Sequence, residues 1–141
     1  MGVDVSPHMR LRVTVHENEP PIVVASDAHL DEVIQLAAEE ARAKGILTIL
    51  LVEAANDNSI GLVVGGKETV LGFTYGHRQP PYYASRGDAT TDEPVLTCFG
   101  CFEHHTEFPR SSVIPLERGM QALHEFALSA ELPRCVEWVE V

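Results

Sequence analysis

Polar and apolar positions along the chain change period several times, and each change marks an element. Residues 10 to 16 (RLRVTVH) alternate polar with apolar, the pattern of a strand with one wet face. Pro20-Pro21 interrupts, and Ile22-Val23-Val24 reads as a short second strand. Ser26-Asp27 then has the form of a helix N-cap, with Asp31 and Glu32 near the positive end of the helix dipole. Leu30, Val33, Ile34, Ala37 and Ala41 follow at helical spacing and make one apolar stripe. With Arg42 and Lys44 in the last turn and Gly45 suited to a left-handed stop, the spacing predicts a helix over about 28–44.

Short strands follow. Residues 46–53 are rich in branched side chains and read as a buried strand, and Asn56-Asp57-Asn58 is turn material. Residues 60–64 and 69–75 read as two strands of a hairpin turning at Gly65-Gly66. After Pro80-Pro81, residues 82–85 form a short strand, 86–94 a polar loop, 95–102 another strand, and 103–110 a loop or brief strand. Pro115 suits the first turn of a second helix, in which Leu116, Met120, Leu123 and Ala127 recur at intervals of four, three and four, with Phe126 alongside, to about residue 129. Pro133 ends that unit, and residues 135–141 read as a final strand carrying Trp138.

Links of hairpin length require antiparallel neighbours, because parallel strands need a long crossover. The expected fold is therefore α+β: a mainly antiparallel sheet with two amphipathic helices packed on one face. Its 141 residues suit one domain and hold no repeat, linker or low-complexity segment. The first nine residues read as a flexible extension, with Met9 an alternative start.

Charge narrows the function. Ten basic and 21 acidic residues give a net charge of −11, spread along the chain. Such a chain is repelled by nucleic acid and by anionic membranes and favours a basic partner. The longest apolar stretch, 46–52, is strand-sized and far short of the ~20 residues of a membrane span. Neither a basic-then-apolar secretory leader nor an even set of cysteines is present, so the expected setting is the cytoplasm with reduced thiols.

Candidate chemistry is sparse. Cys98 and Cys101, followed by His104-His105, have spacing that could chelate zinc, with Cys135 far along the chain. Three positions apart on one strand, however, the two cysteines point to opposite faces. A nucleobase deaminase needs H-x-E and a proline adjacent to the first cysteine. Here Pro94 lies four residues before Cys98, and the single H-x-E, His105-Thr106-Glu107, follows the cysteines instead of preceding them, so the pattern is not met. No phosphate-binding loop, H-E-x-x-H or G-x-S-x-G motif occurs. Neither catalytic residues nor a cofactor is expected.

Contact chemistry is better supplied. Tyr82 and Tyr83 follow the Pro-Pro bend, one ring pointing inward and the other outward, and precede an acidic loop. A partner-binding surface is expected from Tyr82, Tyr83, Arg86, Asp88, Asp92 and Glu93, joined by Glu103, His104 and Glu107.

From about Ile60 onward, the order of features resembles a family of bacterial immunity proteins encoded beside polymorphic toxins. Gly65-Gly66 with Leu71-Gly72-Phe73 is similar to the family's glycine turn and next strand. Pro81-Tyr82-Tyr83-Ala84-Ser85 is similar to its tyrosine-and-serine strand, and Phe108-Pro109 with Val113-Ile114-Pro115 to the strand entering its last helix. Ala122-Leu123, Glu125-Phe126, Pro133 and Val136-Glu137-Trp138 resemble its closing signature, the most specific block. Ser129-Ala130-Glu131 depart from the family, which often has glycine where that helix ends. The resemblance implies a sheet with two helices, no catalysis, and a cognate toxin, commonly a basic protein of deaminase fold, as the partner. A small zinc-binding or ligand-binding regulatory domain is the alternative.

Overall fold

The computed structural model describes residues 10–16, 18–88, 94–99 and 105–141, with the backbone alone for 94–99 and 105–107. Alternation sets the first strand, β1 (Leu11–Thr14), which buries Leu11 and Val13 and pairs antiparallel with β2 (Ile22–Val24). Helix α1 (Asp27–Ala43) begins where the His29 N–H donates to Ser26 Oγ (3.1 Å). It ends where Gly45, at φ +69°, lets its own N–H reach Arg42 O and that of Ile46 reach Ala41 O. These are the two bonds of a Schellman stop, as the glycine foretold.

Helix α1 carries the chain across β1 to β3 (Thr48–Glu53), which pairs with β1 on one side and β4 (Ser59–Val64) on the other. Strand β4 pairs with β6 (Leu71–Thr74), β6 with β7 (Tyr82–Arg86), and β7 with the last strand, β11 (Glu137–Glu140). The sheet runs β11-β7-β6-β4-β3-β1-β2, every neighbouring pair antiparallel.

Three segments differ from the expectation, and one open reading is resolved. The return strand expected over 69–75 is two pieces: β5 (Glu68–Thr69) and β6, separated at Val70. Thr69 Oγ1 accepts from Val63 N (3.1 Å) and donates to Val63 O (2.8 Å), while Val63 N also reaches Val70 O (3.3 Å), so a side chain intrudes on the ladder and the strand breaks. Strand β5 pairs instead with β10 (Ile114–Pro115) in a small ribbon. Residues 103–110, expected as a loop or a brief strand, contain the strand β9 (His105–Pro109), hairpin partner of β8 (Pro94–Phe99). Pro115 closes β10 rather than sitting inside the second helix, α2 (Leu116–Ser129), whose first N–H goes to Lys67 O (3.0 Å). The final strand begins at Glu137, because Glu125 takes the Cys135 N–H.

The core lies between the helices and one face of the sheet. Leu50, Val52, Ile60, Leu62, Leu71 and Phe73 meet Leu30, Val33 and Ile34 of α1 and Leu123 and Phe126 of α2. The buried stripe of α2 is Gly119, Ala122, Leu123, Phe126 and Ala127; the expected Leu116 and Met120 are only half-buried. On the opposite face Val63, Val70 and Val113 pack with Ile49 and Phe108, which sets the β9 end of the β8–β9 hairpin against that side.

Candidate interaction surface

Strand β7 carries the tyrosine pair, and the pleat separates the two rings as expected. Tyr83 packs against the helix-side core, its ring edge-on to Tyr75 at 6.4 Å between centroids. Tyr82 points the other way, is exposed, and donates its hydroxyl to Arg78 O (3.1 Å). Ser85, fully buried, accepts from Leu71 N (3.0 Å) and donates to Ser112 O (2.7 Å). That serine fastens β7 to β6 and to the 3₁₀ turn Arg110–Ser112, giving Tyr82 and Arg86 a rigid mount.

Arg86 is exposed and lies opposite Glu137 of β11. Asp88 is exposed one step past the strand, at the rim of a cavity of about 220 Å³ that Glu68, Arg110, Val113, Pro115 and Arg118 also line. Asp92, Glu93, Glu103 and His104 lie outside the described residues. Glu107 falls on β9, its backbone opposite Thr97. Tyr82 and Arg86 therefore share one face, and Tyr83 occupies the other.

Two neighbours escaped the sequence reading. Val139 sits opposite Ala84, and the Val141 N–H donates to Tyr82 O (2.9 Å), so both valines border the tyrosine. The available signal was the alternation in Trp138-Val139: if tryptophan faces the core, valine faces away.

The chemistry around the cysteines offers little. Burial first, and the adjacent Glu125 carboxylate second, push the Cys135 thiol pKa up, away from a reactive thiolate. Among the described residues no group of three or more histidine, cysteine or acidic side chains is arranged to hold a metal ion. Cys98 lies on β8, and Cys101 and His104 lie outside the described residues.

The C-terminal residues form a packing unit. Glu125 accepts the N–H groups of Arg134 (2.7 Å) and Cys135 (3.2 Å). Burial alone would raise the pKa of this carboxyl, but those bonds outweigh it and lower the value. The Trp138 indole N–H donates to Pro133 O (2.7 Å), while Phe126 and Trp138 both present ring edges to Phe73. Glu-Phe on the helix, proline, and Val-x-Trp on the strand are thus the parts that lock β11 to α2.

That unit closes the region matched by the family model described as immunity protein Imm1, over residues 18–140. The chain belongs to the Imm1 immunity protein family. None of the curated proteins compared with the chain matches it. The Imm1 match reaches back beyond Ile60, where the sequence resemblance began, to take in β2, α1 and β3. Immunity function implies a cognate toxin, and no helix among the described residues is long and apolar enough to cross a membrane. Within the matched region, Glu125, Phe126, Pro133 and Trp138 serve packing.

Proposed function

We propose that this Imm1 protein neutralises its toxin by a tight non-covalent complex, with no catalytic step of its own, in the cytoplasm. The toxin is a basic, nucleic-acid-targeting protein, in the first instance of deaminase fold, and the complex blocks its active site or substrate groove. The observation that carries the reading is the family match over residues 18–140. The net charge of −11 supports it. A protein that handles nucleic acid presents positive potential to phosphate, and an acidic inhibitor is drawn to the same groove. Steering of this kind raises association rates by orders of magnitude at low salt. The bases in described ion pairs already face carboxylates: Arg12 and Arg78 converge on Glu53, Arg110 meets Glu68, and Lys44 meets Glu40. The excess acids are left to set the outward field.

Co-expression with the toxin encoded beside it tests the reading: growth should be rescued and a one-to-one complex should co-purify. Failure of the purified protein to bind or inhibit that toxin overturns it. The acidic loops are placed at the interface by a second measurement. Reversing Asp88, Asp92, Glu93, Glu103 and Glu107 together should slow association and flatten its salt dependence. An unchanged on-rate removes those loops from the interface.

A further inference from the structure

We infer that the free edge of β11, with the apolar patch beside it, receives an extended, basic segment of the toxin as an added strand. This rests on the toxin-binding reading and names where and how the partner docks. Three exposed large apolar side chains converge here: Tyr82 (38% exposed), Val139 (39%) and Val141 (72%). Their alternating neighbours Tyr83 and Trp138 pack into the helix-side core, so these three stand on the face away from the helices. Ala84 lies between Tyr82 and Arg86 with Gly72 opposite it on β6, which keeps the floor of the patch low.

Among the described residues, nothing pairs with the backbone beside the patch. Strand β11 is the last in the sheet order, with β7 as its one sheet neighbour among them. The Val141 N–H points to Tyr82 O, and hydrogen-bonding direction alternates along a strand. The N–H and C=O of Trp138 and Glu140 therefore face outward, available to another strand. The opposite edge, β2, is three residues long and follows Pro20-Pro21, features that blunt an edge against pairing.

Charge selects the partner. Strand β11 carries Glu137 and Glu140 and no base, and Arg86 stands opposite only the first of these. A basic strand complements that edge, whereas a second copy of this chain would bring two more acids to it. Area requires the face as well as the edge. A stable complex covers on the order of 800 Å² per partner, more than a four-residue edge provides, so the added segment must also bury the Tyr82–Val139 patch.

The test measures affinity between the full chain and its cognate toxin for three variants: Val139→Arg on the face, Glu140→Pro on the edge, and Leu128→Arg on the exposed side of α2. Loss of a central apolar contact should weaken binding by about 30-fold for Val139→Arg. Removing one outward donor should cost Glu140→Pro about tenfold. Leu128→Arg should bind like wild type, and all three should keep the wild-type melting temperature. If wild type binds and either β11 variant binds equally well, strand addition at this edge is wrong. The same holds if Leu128→Arg weakens binding, or if the chain alone dimerises and Val139→Arg dissolves the dimer. If wild type fails to bind the toxin at all, the immunity reading itself falls.

Discussion

Gly119 offers a quantitative test of how α2 is seated. It occupies the first turn of α2, directly over β5, and a Cβ added there would lie 2.5 Å from Thr69 Cγ2, 3.5 Å from Leu62 Cδ1 and 3.6 Å from Leu71 Cδ2. The first distance is far inside van der Waals contact, and the threonine cannot swing away. Its Oγ1 is held by both the N–H and the C=O of Val63. A clash this deep against a pinned methyl belongs at the upper end of the range for overpacking, about 2–3 kcal/mol, against about 1 kcal/mol gained by replacing a helical glycine with alanine. Gly119→Ala should therefore destabilise by about 1–2 kcal/mol, a fall in melting temperature of roughly 3–8 °C for a chain of this size. Thr69→Ser removes the offending methyl and keeps the hydroxyl; alone it should cost about 0.8 kcal/mol for the lost buried carbon. Combined, the two changes should be less damaging than their sum by about 1 kcal/mol, because the clash is gone. Urea and thermal melts of all four proteins give the cycle. A Gly119→Ala protein as stable as wild type, or strictly additive effects, would refute the packing account.

Three further outcomes follow from the same region. Ala130 ends α2 at φ +59°, a left-handed conformation that costs a non-glycine residue about 1 kcal/mol, so Ala130→Gly should stabilise by about 0.5–1 kcal/mol in a urea melt. Glu125→Ala should cost about 1–2 kcal/mol by freeing the Arg134 and Cys135 N–H groups, and should red-shift the emission of Trp138, the single tryptophan. Because the Glu125 pKa is lowered on folding, its contribution is present above about pH 4.3 and lost as pH falls through the lowered value. His124 of α2 sits between Asp27 and Asp31 of α1, each at 2.8 Å, an arrangement that needs both ring nitrogens protonated. Burial lowers its pKa, but the two carboxylates outweigh burial and raise it. The contribution is thus complete below about pH 6.5 and lost as pH rises through the raised value. Wild type should exceed His124→Gln by about 0.5–1 kcal/mol at pH 5.5 and match it by pH 9; an equal gap at both pH values would contradict the bridge.

Local periodicity carried much of the fold. The cap at Ser26, the stripe from Leu30 to Ala41 and the stop at Gly45 each rest on near neighbours in sequence, and each appears as expected. The alternation that sends Tyr83 inward and Tyr82 outward is equally local. Family membership was legible for a related reason: Glu125, Phe126, Pro133 and Trp138 lie close together along the chain and form one packing unit.

What remained hidden depended on partners far away in sequence. No local pattern tells Thr69 to leave the β6 ladder, because the alternative pairing comes from Ile114, far along the chain. Asn58 is buried and joins Gly76 N to Ala130 O, so turn residues proved to be a tie between the sheet and the end of α2. Val139 and Val141 became part of an exposed patch only once β11 paired with β7, more than fifty residues earlier in the chain. Sequence alone set which residues are apolar, where α1 starts and stops, and the sign of the molecule's charge. Tertiary structure alone decided which strands are neighbours, and hence which side chains share a surface, because strand pairing joins segments whose separation along the chain leaves no periodic trace.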